Sequence, residues 1–178
     1  MEGHCVMLDA NLDVKSYGTG TSCKLPGKKQ SEPNIYPYGS ATYQEIYEDL
    51  EKKDFEFYSN NGLIKMVDRN RNIKERPEKF QEEAKKHKFD VIICCEERVY
   101  DAVIEDLASR ENSDYPVHCI NVDIKDNAEQ ALLGGAIIRE LAVYFEMSQD
   151  IHGEGLLIMS DMKVRYPKTR FMYCISLN

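Results

Sequence analysis

The chain has 178 residues, 42% of them hydrophobic, which is enough material for one core. Its net charge of -8 argues against a general nucleic-acid binder, because neutralising phosphates needs a basic face. Six scattered cysteines without a CxxC pair, and no apolar run near the roughly 18 residues of a membrane helix, lead us to expect one soluble domain (1–178) in a reducing intracellular compartment, with no membrane contact.

Four segments have strand character: Leu12 to Tyr17, Phe89 to Cys95, Pro116 to Val122 and Arg170 to Leu177. Helical patterns separate them, so the alternation predicts a mainly parallel sheet covered by helices. Thr42 and Glu45 have the spacing of a capping box and open a helix reaching Asn60, with Gly62 in the stopping position. Ile46, Leu50 and Phe57, beside Tyr43 and Tyr47, form its apolar stripe. A second helix is expected over Pro77 to His87, closing on Lys85, Lys86, His87 and Lys88 at the negative end of its dipole, where His87 is a surface cation.

Glu96 opens a further helix carrying Val99, Val103, Ile104 and Leu107 on one side. Cys94 and Cys95 point to opposite faces of their strand and cannot jointly chelate a metal, so both read as packing residues. From Ala128 to Met147 the pattern is a mostly buried helix, with Gly134 and Gly135 permitting close approach to the sheet. After Gln149 the pattern weakens until the last strand.

The stretch Tyr115 to Asn127 is an apolar strand that empties into acidic residues just before that long helix. In an open α/β sheet, reacting groups sit beyond the carboxyl ends of strands, which places Asp126 for proton transfer. The competing reading is that Asp126 or Asn127 caps the helix.

Ser16-Tyr-Gly-Thr-Gly-Thr21, Lys24-Leu-Pro-Gly27, Asn61-Gly-Leu-Ile-Lys-Met-Val-Asp-Arg-Asn70, Cys95-Glu-Glu-Arg-Val-Tyr-Asp101 and Asn121-Val-Asp-Ile-Lys-Asp-Asn127 occur in that order. Together they resemble the Ssu-type family of RNA polymerase II carboxy-terminal-domain phosphatases, relatives of the low-molecular-weight tyrosine phosphatases. The likeness covers roughly residues 1–150 well. It implies a three-layer α/β fold with a parallel sheet and a helical cap insertion over about 40–80. It also implies hydrolysis of phosphoserine before proline in the polymerase heptad tail, through a phosphocysteine and without metal or cofactor. The family works in transcription termination and mRNA 3'-end processing in the nucleus, so the implied partners are the phosphorylated tail and a symplekin-like cleavage and polyadenylation scaffold.

By resemblance Asp126 is the general acid, with Asp123 nearby in the same loop. Lys24, Leu25 and Pro26 match the turn beside the peptide groove, and Met66 matches the cap over it. Arg69, Arg71, Lys74 and Arg76 form a dense basic cluster that either meets a phosphorylated tail or is a solvated face. The family's first strand leads into Cys, five residues, Arg and Ser, and the next helix reads Met-Glu-Ala-His; here the chain begins Met1-Glu-Gly-His4. No cysteine of the chain has an arginine six positions on, so the first strand, the nucleophile and the phosphate-binding arginine are expected to be missing from residues 1–178. An amino-terminally short phosphatase, through an incorrectly assigned start or a truncated isoform, and a catalytically dead peptide- or scaffold-binding protein are the readings this leaves.

Overall fold

The computed structural model describes residues 1–110 and 114–177. In chain order the elements are α1 (Glu2–Asp9), β1 (Ser22–Leu25), β2 (Asn34–Pro37), α2 (Tyr43–Asn60), α3 (Leu63–Arg71), α4 (Phe80–Glu83), a 3-10 turn (Ala84–Lys86), β3 (Val91–Cys94), α5 (Glu97–Ala108), β4 (Pro116–Val122), α6 (Ala128–Met147), α7 (Ile151–Arg165) and β5 (Phe171–Leu177). They fall into two units, Met1–Lys15 with Lys86–Asn178, and Ser16–Lys85. The second contains the expected cap range and extends it backwards through the β1–β2 hairpin.

In the larger unit the sheet order is β3-β4-β5. β3 and β4 are parallel, whereas β5 runs antiparallel to β4, so the last strand makes the sheet mixed. Burial from Val117 through Val122 explains why β4 is mostly apolar: both its faces are covered, His118 and Asn121 included. Ile120 and Val122 enter a cluster with Ile137, Ile138, Leu141 and Phe145 of α6 and Met159 and Met162 of α7. α5 lies against all three strands and α1 lies against α6.

Polar groups are also buried in this unit. His118 of β4 is fully buried; its Nδ1 is 2.7 Å from the Tyr173 hydroxyl and its Nε2 is 3.0 Å from Nδ1 of His152. A Cβ on Gly155 would lie 2.6 Å from that hydroxyl and 2.8 Å from the imidazole, so α7 needs glycine there to approach the sheet. Burial, and secondarily His152, hold the His118 pKa below its ordinary value, with Asp90 acting in the opposite sense.

The smaller unit packs Leu25, Tyr43, Ile46, Leu50, Tyr58, Leu63, Ile64 and Val67 into a second cluster. β1 and β2 are antiparallel, with Leu25 opposite Asn34. The capping box of α2 is present as expected: the Thr42 hydroxyl accepts from the Glu45 amide at 3.1 Å, and Glu45 accepts from the Thr42 amide at 2.8 Å. Gly62 has φ of 80° and is the N-cap of α3, a helix that the sequence patterns did not reveal.

Several expectations change. Leu12 to Tyr17 forms no strand, because a strand requires a ladder and this segment reaches only an isolated bridge, Gly18 with Lys79. That same bridge holds Lys79 extended, so the helix expected from Pro77 shrinks to α4 and its 3-10 turn. Gly134 and Gly135 serve close approaches of other elements than the sheet: a Cβ on Gly134 would lie 2.3 Å from Ile124, and one on Gly135 3.1 Å from Glu2 of α1. Leu132 and Leu133 of α6 are exposed, against the expectation of a mostly buried helix.

Candidate active site

The loop after β4 is anchored by its backbone. The Asp123 amide donates to the Arg170 carbonyl at 3.0 Å, and the Ile124 amide donates to the Cys95 carbonyl at 3.0 Å. Ile124 then seats against Gly134 of α6. The next bend is closed by the Asn127 amide on the Lys125 carbonyl at 2.8 Å, and the Asn127 side chain accepts from the Gln130 amide at 2.9 Å. Asn127 is therefore the N-cap of α6, and Asp126 is an exposed carboxylate one residue before it. The two readings of this stretch separate onto adjacent residues. Asp123 is also exposed, on the same loop, and Arg98 of α5, bonded to Glu96 at 2.5 Å, lies in the field of Asp126.

β4 carries one unusual group immediately before this loop. Asn121 is fully buried, and neither atom of its amide has a hydrogen-bond partner. Its register partner on β3 is Cys94.

All six cysteines are free. Cys95 comes closest to a nucleophile's place in the topology, since it leaves β3 one residue before the N-cap of α5. Desolvation raises its pKa; the amino terminus lowers it and the Glu96 carboxylate raises it again, leaving a thiol. Burial, with Cys95 adding to it, pushes Cys94 up to about 12. Cys5 lies inside α1. Among the described residues no group of three His, Cys, Asp or Glu side chains could hold a metal ion.

In the smaller unit Lys24 and Pro26 are exposed while Leu25 is buried. Leu25 and Met66 contribute to the same apolar cluster, Met66 partly buried at its edge. The turn they flank is tight: a Cβ on Gly27 would sit 1.8 Å from the Glu32 carbonyl oxygen, so only glycine allows residues 26–33 to close on themselves. The basic cluster is largely neutralised from within. Arg71 pairs with Asp68 at 2.5 Å and stacks on Tyr47, Lys74 pairs with Glu78 at 2.5 Å, and Arg76 pairs with Glu75. Those pairings occupy the charges that a tail-binding patch would need, and Lys74, which also donates to the Ser16 carbonyl at 2.6 Å, is largely covered rather than solvated.

Sequence patterns gave no sign of Asn34, a buried polar residue at the start of β2 that bonds to the Pro26 carbonyl. Its signal is weak, because Pro33-Asn34 reads as turn chemistry.

The larger unit is thus an α/β fold with an acidic loop at the carboxyl end of its central strand. The family model described as Ssu72-like protein matches residues 1–178, and the chain belongs to that family. It is 49% identical to the RNA polymerase II C-terminal domain phosphatase SSU72 of Danio rerio, over 86% of this chain and 78% of that protein. With the phosphatase ssup-72 of Caenorhabditis elegans the identity is 42%, over 98% of this chain and 88% of the relative. The crystal structure of the serine phosphatase of RNA polymerase II CTD from Drosophila melanogaster superimposes with a TM-score of 0.94 at 41% identity, covering 100% of this chain and 92% of that one. D. melanogaster Ssu72 with Symplekin, bound to a cis peptidomimetic CTD phosphoserine peptide, gives 0.92 at 40% identity, over 99% and 90%.

Proposed function

We propose that this chain acts on phosphoserine followed by proline in the heptad tail of RNA polymerase II, as a cysteine-based serine/threonine phosphatase when a Cys-x5-Arg loop is present ahead of Met1. The observation that carries this reading is that Asn127, not Asp126, caps α6. Asp126 is thereby available for proton transfer. In this scheme the thiolate attacks phosphorus, the bond to the serine oxygen breaks, and Asp126 delivers its proton to that oxygen. Water then attacks the phosphocysteine with the same carboxylate taking the water's proton, which returns the thiolate and releases phosphate. Asp123 lies close by in the same loop, the turn of Lys24, Leu25 and Pro26 borders the peptide groove, and Pro26 and Met66 pack on the substrate proline. The setting is nuclear 3'-end processing and transcription termination beside a symplekin-like scaffold.

The test is hydrolysis of a phosphoserine-proline heptad peptide by a form extended with the loop. Asp126→Asn should lower kcat by roughly 10²–10⁴-fold, the usual contribution of a positioned acid, and Asp123→Asn by less. An extended form that leaves the peptide intact, or is indifferent to Asp126→Asn, overturns the assignment.

A second reading applies to residues 1–178 alone: a peptide- or scaffold-binding protein without turnover. It is favoured by the absence of an arginine six positions after any cysteine and by the raised Cys95 pKa. Binding of the phosphorylated heptad peptide by folded 1–178 supports it, and an unfolded circular-dichroism spectrum sinks it.

A further inference from the structure

In an antiparallel hairpin alternate residues face the same side, so Leu25 and Asn34, directly opposite one another, both point inwards from β1 and β2. Lys24 and its partner Ile35 are both exposed on the other face. An apolar residue at 34 would continue the Leu25 cluster, and burying an amide there costs free energy unless every polar atom is bonded. Here every one is. Nδ2 of Asn34 donates to the Pro26 carbonyl at 3.0 Å and to the Tyr58 hydroxyl at 3.0 Å, while Oδ1 accepts from the Lys53 ammonium at 2.9 Å. Lys53 also donates to Asp49 at 2.7 Å, and Asp49 accepts from the Tyr36 hydroxyl at 2.6 Å. The chain of bonds thus runs from the charged flank of α2, through one buried amide, to the backbone of a single turn residue. Pro26 has no amide hydrogen with which to tie itself down, so its carbonyl is its one main-chain handle.

We propose that Asn34 is the positioning residue for proline recognition: it fixes the Pro26 carbonyl, and with it the exposed Lys24 and Pro26 surface, in the orientation that receives a phosphoserine-proline peptide. This rests on the peptide reading given under Proposed function. Asn34 touches no substrate; it acts through the turn, using a bonded amide where packing alone would leave the turn free to shift. A shift of a fraction of an ångström in a recognition surface is enough to lose discrimination.

The experiment measures fluorescence anisotropy of two labelled heptad peptides, phosphoserine-proline and phosphoserine-alanine, on residues 1–178. Wild type should prefer the proline peptide. Asn34→Asp, which keeps the shape and the Lys53 pairing but sets an acceptor against the Pro26 carbonyl, should lose about tenfold of that preference, the equivalent of one hydrogen bond. Binding of the alanine peptide should be unchanged. Tyr58→Phe, which leaves the Pro26 bond in place, should retain the preference. If wild type ignores proline, the peptide-binding reading of residues 1–178 falls and this proposal with it. If wild type discriminates and Asn34→Asp discriminates equally, only the positioning role is overturned. Should Asn34→Asp fail to fold by circular dichroism, Asn34→Leu, which keeps the volume but removes the donor to the Pro26 carbonyl, carries the test: a reduced preference supports the proposal and an unchanged one refutes it.

Discussion

The Asp123–Asn127 loop of the larger unit and the Lys24–Gly27 turn of the smaller one are held by opposite means. The loop is fixed by backbone hydrogen bonds from Asp123 and Ile124 and by Ile124 wedged against Gly134, with the apolar cluster of α6 and α7 behind it. The turn is fixed by a polar relay from Lys53 through Asn34 to Pro26. An apolar mount fails when volume changes, whereas a polar mount fails when a donor is removed, even at constant volume. The two sites should therefore respond to different substitutions.

The largest stability effect should come from the apolar side. Leu141 is fully buried in the α6 cluster, so Leu141→Ala is expected to cost roughly 2–5 kcal/mol, read by urea denaturation, with hydrogen-exchange protection lost first in β4 and α6. Protection lost first in α2 would break the comparison. Gly134→Val forces Ile124 aside and should cost roughly 1–3 kcal/mol by overpacking, while leaving binding of a proline peptide unaffected. A third test separates the units by pH. His118 has its folded pKa lowered chiefly by burial, so the unfolded chain binds the extra proton more readily. Its stabilising contribution is complete above the unfolded value of about 6.5 and is lost progressively as pH falls towards the lowered folded value. Urea midpoints should therefore fall from pH 7.5 to pH 5.5, and His118→Gln should flatten that dependence. The smallest effect belongs to the smaller unit: Thr42→Ala removes the hydroxyl cap of α2 and should cost about 1 kcal/mol, seen as faster amide exchange in its first turn.

Legibility in the sequence followed the range of the interactions. The Thr42–Glu45 box was readable because it is complete within four residues, and β4 because burial on both faces leaves a mostly apolar segment, broken only by the buried His118 and Asn121. The place of Asp126 in the loop after that strand was readable, although only the structure gave the capping role to Asn127. Leu12 to Tyr17 misled because its composition suits a strand while its ladder partner does not exist among the described residues. α7 was hidden by Gly153 and Gly155, which look like breakers; Gly155 is instead required by His118 and Tyr173, both distant in sequence. The β1–β2 hairpin escaped because residues 26–33 form no short turn signature, and Asn34 escaped because its partners Lys53 and Tyr58 lie 19 and 24 residues away.

One dihedral break in α2 reaches further than its size suggests. Asp54 is non-helical, with φ of -175° and ψ of 90°, and its carboxylate accepts from the Phe57 amide at 3.0 Å, restarting the helix. In an unbroken helix the stripe of Tyr43, Ile46 and Leu50 would bring Phe57 round to the interior, seven residues after Leu50. The interruption advances the phase by about one position, so that Tyr58 is buried and Phe57 only partly so. The break works as a clutch that exchanges a purely apolar ring for one tipped with a hydroxyl, and that hydroxyl is what Asn34 meets. Healing the helix at 54 would displace that hydroxyl and also the Asp54 carboxylate, which pairs with Lys28 at 2.5 Å, and so release the Pro26 turn at two points.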